Sequence, residues 1–235
     1  RLPQRYQQIV LSALGLTTIG LGIDAAVLTF GQTVGQFQSA VLAPQTYGAR
    51  LAMVMISSLV IGGLLGTALR LHERIEGFGE WVHARFGGGE GGKRFAEGFL
   101  TASVIFCVGP LTLLGCLRNG SQGDPSYLYI KSALDGFCSM ALASAMGWGV
   151  ALSIVTVVVF QGGLSALAFA FADPLPEVSR NLMTCVGGVL MLGTALMILD
   201  IKKIPVANML PGIFLPPATI WLVEQYWRGL LAPAG

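Results

Sequence analysis

Apolar residues in this chain fall in long, nearly unbroken runs, not in the alternating or three-to-four spacing of half-buried strands and helices. Seven runs stand out: Ile9–Phe30, Leu51–Leu69, Phe95–Leu117, Tyr129–Met146, Gly149–Phe171, Leu182–Leu199 and Val206–Trp227. Each approaches the roughly 20 residues that cross a bilayer as a helix. The fourth and fifth are divided at Gly147-Trp148-Gly149; merged, Tyr129–Phe171 would be a single run of 43 residues, far too long for one crossing. Strand alternation is absent and lipid cannot satisfy open backbone groups, so helices are the spanning structure. The pattern predicts an all-α, polytopic transmembrane helical bundle, one integral membrane domain over residues 1–235.

One stretch is patterned differently. Leu71, Ile75, Phe78 and Val82 recur at helical spacing among Glu73, Arg74, Glu76, Glu80 and Arg85. That predicts an amphipathic helix over 70–86 lying on the membrane surface or capping the bundle. A glycine-rich linker, 87–94, follows it.

Composition sharpens the class. The chain is 54% hydrophobic and 11% charged, against roughly 25% charged in soluble domains. This excludes a water-soluble enzyme and makes the lipid bilayer the first partner. A net charge of +2 gives no reason to expect nucleic acid. Cys107, Cys116, Cys138 and Cys185 lie in apolar runs without CxxC spacing and read as free thiols. Lys and Arg divide unevenly between alternate connections. Arg1, Arg5, Arg70, Arg74, Arg85, Lys93, Arg94, Lys202 and Lys203 fall on one side; Arg50, Arg118, Lys131, Arg180 and Arg228 fall on the other. By the positive-inside rule, Arg1 and the 70–94 connector are cytoplasmic and the C-terminus is outside. The chain starts at Arg1, and a further span ahead of it would make eight.

Motifs with chemistry are few. Gly87-Gly-Gly-Glu-Gly-Gly92-Lys93 imitates a phosphate loop, but Arg94 stands where Ser or Thr should hold magnesium and no strand precedes it. The only histidines, His72 and His83, lie outside the spans, so no nucleophile–base pair is expected. Neither enzyme activity nor a cofactor is predicted.

Ionisable residues inside spans are the better guide, since each is expensive in hydrocarbon. Asp24 and Asp135 share a depth in this topology, and Lys131 precedes Asp135 by four residues on the same helix face. Backbone breaks are the second guide. Gly109-Pro110 interrupts the third span, which carries Thr101, Ser103 and Thr112; Asn208-Met-Leu-Pro211-Gly212 interrupts the seventh. Paired discontinuous helices expose backbone groups that bind substrate or ions in transporters; alternatively, such kinks are healed by Ser/Thr hydroxyls. Gln161 adds an amide midway along the fifth span. Gly62 and Gly66 permit close helix approach, either within the chain or at a homo-oligomer seam. Glycines five apart, Gly15 and Gly20 in the first span and Gly188 and Gly193 in the sixth, hint at weak internal repeats.

Glu97-Gly98-Phe-Leu-Thr101-Ala-Ser103, Phe106-Cys107-Val-Gly109-Pro110, Gly120-Ser-Gln-Gly123-Asp124, Lys131-Ser132-Ala-Leu-Asp135-Gly136, Gln161-Gly162-Gly163 and Val206-Ala207-Asn208-Met-Leu210-Pro211 follow in an order that resembles the YqgA-like (YdfK-like) family of prokaryotic integral membrane proteins of unknown function. The resemblance implies an inner-membrane protein, sometimes labelled a sodium channel or pump, with an extra glycine-rich span ahead of Arg1-Leu2-Pro3. Asp135, Asn208, Gln161, Gly109 and Pro110 belong to the family pattern and Asp24 does not.

The resulting expectation is a small transport protein, channel or carrier, for a cation or small solute. Thr101, Ser103, Gly109, Pro110, Asp135, Gln161, Asn208 and Pro211 form the candidate site, with Asp135 and Asn208 as metal ligands if the ion is sodium. The competing expectation is a non-transporting scaffold or regulatory protein whose polar residues only lock helices together.

Overall fold

The computed structural model describes residues 4–40, 47–74, 77, 90–107, 109–170 and 176–226. Among these residues all regular structure is helical. Helix α1 (Gln4–Ile23) passes through a π turn (Asp24–Leu28) into α2 (Thr29–Ala40), giving one continuous rod. Helix α3 (Tyr47–Ala68) follows, its first turns packed near Phe30 and Val34 of that rod. Then come α4 (Glu90–Cys107), α5 (Pro110–Gln122), α6 (Ser126–Met146), α7 (Gly149–Ala170) and α8 (Glu177–Ile198). A broken last element closes the bundle: α9 (Val206–Met209), a 3-10 turn (Leu210–Phe214) and α10 (Leu215–Tyr226).

Among the described residues four stretches are long and apolar enough to cross a membrane: Leu11–Gln36, Tyr47–Ala68, Gly149–Ala170 and Glu177–Ile198. The pair Thr101–Cys107 and Pro110–Gln122 makes a fifth if counted as one span bent by 54°. The seven apolar runs thus become four straight helices and three altered ones. Ser126–Met146 is long enough but less apolar, carrying Lys131, Asp135 and four serines. The last run is a shorter apolar helix, Val206–Leu222, interrupted at Pro211. The surface helix expected over 70–86 lies mostly outside the described residues, although Leu71–Arg74 form a helical turn. The linker expected over 87–94 is corrected in part, because α4 already begins at Glu90.

Helix α8 is the central element. It is buried from Leu182 through Gly188, while the other helices turn many large apolar side chains outward, among them Met53, Leu64, Val159 and Phe169, as suits lipid. Helix α1 runs antiparallel to it: a Cβ on Gly15 would strike Leu199, and one on Gly22 would strike Leu192. At Gly188 the π turn presses the backbone of Ala25 and Ala26 into the space a side chain would need. The glycine likeness between the first and sixth spans therefore has a packing reason, since these two helices are each other's partners.

Gly62 and Gly66 are likewise covered by the chain itself. A Cβ on Gly62 would meet the backbone of Gly212, and one on Gly66 would meet the carbonyl of Asn208. Of the two uses expected for these glycines, the structure makes the contact within the chain, between α3 and the broken last element.

Candidate functional site

The break between α4 and α5 follows from Pro110, which has no amide hydrogen to give the carbonyl of Phe106 four residues earlier. The Thr112 hydroxyl donates to that carbonyl instead, at 3.1 Å. The Gly109 carbonyl accepts the Leu113 amide at 3.2 Å. The Gly109 carbonyl, expected as a ligand, therefore already carries one backbone hydrogen bond and keeps one lone pair. What the break presents is the N-terminus of α5, with Gly109 as an extended N-cap and no side-chain cap. Uncapped first-turn amides and the helix dipole make this end attractive to anions.

Gly109, Pro110, Leu111 and Thr112 line a cavity of about 460 Å³. The opposite wall comes from α6, which contributes Lys131, Leu134, Asp135 and Cys138. Leu14 and Thr18 of α1 and Met191, Thr194, Met197 and Ile198 of α8 complete it. Lys131 donates to Asp135 Oδ2 across one helical turn, and its side chain is only 6% exposed against 24% for the aspartate. The Lys131 ammonium also lies 5.9 Å from the centroid of the Phe106 ring.

A second cavity, of about 650 Å³, lies against the adjacent face of α6, where Leu128, Ser132, Gly136 and Ser139 line it. Asp135 and Phe106 line both cavities. The second is the more polar, with Asn119, Ser132, Ser139, Ser153, Gln161 and Ser165 in its wall. The side-chain nitrogen of Gln161 is buried without a hydrogen-bond partner among the described residues.

The sequence-predicted residues therefore separate into groups. Gly109, Pro110 and Asp135 share the first cavity, and Asp135 and Gln161 share the second. Ser103 is buried and donates to Thr156 of α7 at 3.2 Å, tying α4 to α7; neither Ser103 nor half-buried Thr101 lines these cavities.

Asn208 and Pro211 stand apart, packed against α3. Asn208 Oδ1 accepts the backbone amide of His72 at 2.7 Å, so it anchors the turn after α3. The carbonyl of Ala207, which Pro211 cannot serve, accepts the Leu210 amide through the 3-10 turn. The two broken helices, expected to converge on one site, do not share these cavities: Asp135 lines both and Asn208 lines neither.

Asp24 does not meet Asp135 either. Its Oδ2 accepts the Tyr127 hydroxyl at 2.7 Å. Arg118 stacks 4.7 Å over the Tyr127 ring and pairs with Asp124 at 2.7 Å. Asp124 lies in the loop between α5 and α6. Hydrogen bonds from the hydroxyl and amide of Ser126, with Arg118 nearby, hold its carboxyl below the usual range. Tyr127, Lys131 and Asp135 thus form one i, i+4, i+8 stripe down α6, about 12 Å long at 1.5 Å per residue.

Sequence reasoning missed Thr18, Phe106 and Thr194 as wall residues. Their signal was slight: Thr18 and Thr194 are small hydroxyl residues in apolar runs and Phe106 is one apolar residue among many, placed by helix pairings that one sequence does not reveal.

Comparison with known proteins identifies the relatives. A family profile described as "Protein of unknown function (DUF554)" matches residues 1–221. The chain belongs to this family. Within it, the chain is 31% identical to the "Uncharacterized membrane protein YdfK" of Bacillus subtilis (strain 168), over 96% of this chain and 88% of that one. It is 29% identical to the "Uncharacterized protein YqgA" of Escherichia coli (strain K12), over 94% of this chain and 88% of that one. No solved structure matches. The DUF554 relatives support a membrane protein, and the YqgA-like resemblance read from the motifs agrees with the family found.

Proposed function

We propose that this DUF554 protein is a small, non-enzymatic transport protein of the cytoplasmic membrane, moving a cation or small solute past Asp135. One observation carries the reading: a carboxylate within a helix of the bundle, paired with a buried lysine, lines two cavities on adjacent faces of that helix. Charges in such positions are costly and mark solute paths in membrane proteins. The scaffold alternative expects buried polar groups to be satisfied, and the buried, unpartnered amide nitrogen of Gln161, a residue in the wall of the second cavity, speaks against it. In this reading the Arg70 end of the bundle faces the cytoplasm, as the distribution of Lys and Arg supports.

The test is uptake into proteoliposomes under an imposed gradient, with sodium-22, then potassium and protons, and then small organic solutes. Flux above empty liposomes that Asp135→Asn abolishes is the expected result. Flux unchanged by the substitution removes Asp135 from the path. The absence of flux for every solute returns the protein to the scaffold reading.

A further inference from the structure

We infer that the first cavity takes a small zwitterion with an apolar body, of the apolar α-amino acid class, and not a bare alkali ion. The inference rests on the transport reading for its purpose but on separate observations for its chemistry.

Size comes first. About 460 Å³ falls in the range of small-molecule pockets, roughly 300–1,000 Å³. A hard cation needs a close cage of oxygens, whereas this wall is mostly apolar: Leu14, Ile105, Phe106, Leu134, Met191 and Ile198. Such a wall suits a branched aliphatic or aromatic side chain.

Charge comes second. Among the described residues the cavity has two charged side chains, Lys131 and Asp135, and they neutralise each other. Separating a buried pair leaves two uncompensated charges, which is strongly unfavourable. A lone cation entering would satisfy Asp135 and strand Lys131; a lone anion would do the reverse. A ligand bearing ammonium and carboxylate on one carbon replaces both partners together, and the site stays neutral before and after.

The remaining polar groups fit the same division. The uncapped N-terminus of α5 opens into the cavity beside Lys131 and favours a carboxylate, as half-helix N-termini do in transporters. The hydroxyls of Thr18 and Thr194 already donate to the carbonyls of Leu14 and Leu190, at 2.8 and 3.1 Å. Their oxygens remain only as acceptors, matched to the spare N–H groups of an ammonium beside Asp135. Two anion-favouring features and three cation-favouring ones thus surround one apolar chamber.

The test uses the full chain in nanodiscs with four probes: L-leucine, 3-methylbutylamine (the ammonium without the carboxylate), 4-methylpentanoate (the carboxylate without the ammonium) and sodium chloride. Thermal shift and equilibrium binding are read, with uptake of the same probes measured in proteoliposomes. The expected result is saturable leucine binding at least tenfold tighter than either half-ligand, abolished by Asp135→Asn and by Lys131→Met. The probe series on the wild-type protein decides the matter even if a variant fails to fold. Equal binding of the amine and leucine would overturn the zwitterion and leave a cation site. Sodium flux with no organic probe bound at 10-fold excess over a millimolar standard would overturn it too, with transport intact. Leucine binding without uptake of any probe would keep the inference and remove the transport reading.

Discussion

A lysine and an aspartate one turn apart on a solvated helix are worth only a few tenths of a kcal/mol. Lys131 and Asp135 belong to another regime, because their side chains are 6% and 24% exposed. There, removing one partner strands the other in a medium that cannot solvate it. Lys131→Met is therefore expected to destabilise the protein by about 3 kcal/mol, while adding Asp135→Asn recovers most of that loss. Unfolding of the single and double variants in detergent checks this; equal losses in both would show that the two residues are not coupled. Asp124 gives a contrasting case in the loop, where solvent is close. Its carboxyl is held below the usual range by Ser126 and Arg118. A depressed carboxylate stabilises fully above its unfolded-state value near 4 and loses that contribution as pH falls through its folded-state value. Wild type should thus lose more thermal stability than Asp124→Asn between pH 5 and pH 3, as measured by parallel melts (about the pH range that the carboxylate scale sets). Parallel curves for the two proteins would dissociate this carboxylate from acid sensitivity.

Elements in this protein are shaped by where backbones touch and where prolines interrupt them. Gly188 faces the π turn of the first rod, and a side chain there would collide with the backbone of Ala25 and Ala26; Gly20, in the same rod, has open space around it. Gly188→Val should cost about 1–3 kcal/mol by overpacking, and Gly20→Val should leave the melting temperature nearly unchanged. Equal effects would mean that α1 and α8 do not meet as described. Asn208 makes a similar point for the last element. Its acceptor on the His72 amide predicts that Asn208→Ala loses about 1 kcal/mol while Asn208→Asp, which still accepts, loses less. The positions of both breaks were legible in the sequence, because Pro110 and Pro211 each remove a donor. Their function was not legible. Whether a freed carbonyl stays free depends on a neighbour such as Thr112 or on a shift to 3-10 geometry at Leu210, and neither follows from the proline itself.

At the scale of the whole molecule, hydropathy was enough to place the helices, and the helical bundle it predicts is the one observed. Pairing was beyond it: nothing in Asp135, Asn208 or Gly109 taken singly says that α6 lies against α5 while the last element lies against α3. Helix α6 is the hardest case, because the lysine, aspartate and serines that make it interesting also lower its hydropathy below that of the four clear spans. Parity tests whether it crosses. Between Gln122 and Lys202 the chain runs through α6, α7 and α8, and both residues are exposed at the helix ends they follow. Three crossings place them on opposite faces of the membrane; two would place them on the same face. Three native thiols are buried, so single cysteines at Gln122→Cys and Lys202→Cys in a Cys138→Ala background can be labelled with a membrane-impermeant maleimide against little background. Labelling of Gln122→Cys from outside intact cells, and of Lys202→Cys only in inverted vesicles, is the expected pattern. The reverse pattern would keep the three crossings and invert the orientation. Labelling of both from one side would mean that α6 does not cross, and with it Asp135 would lose its place between two cavities inside the membrane.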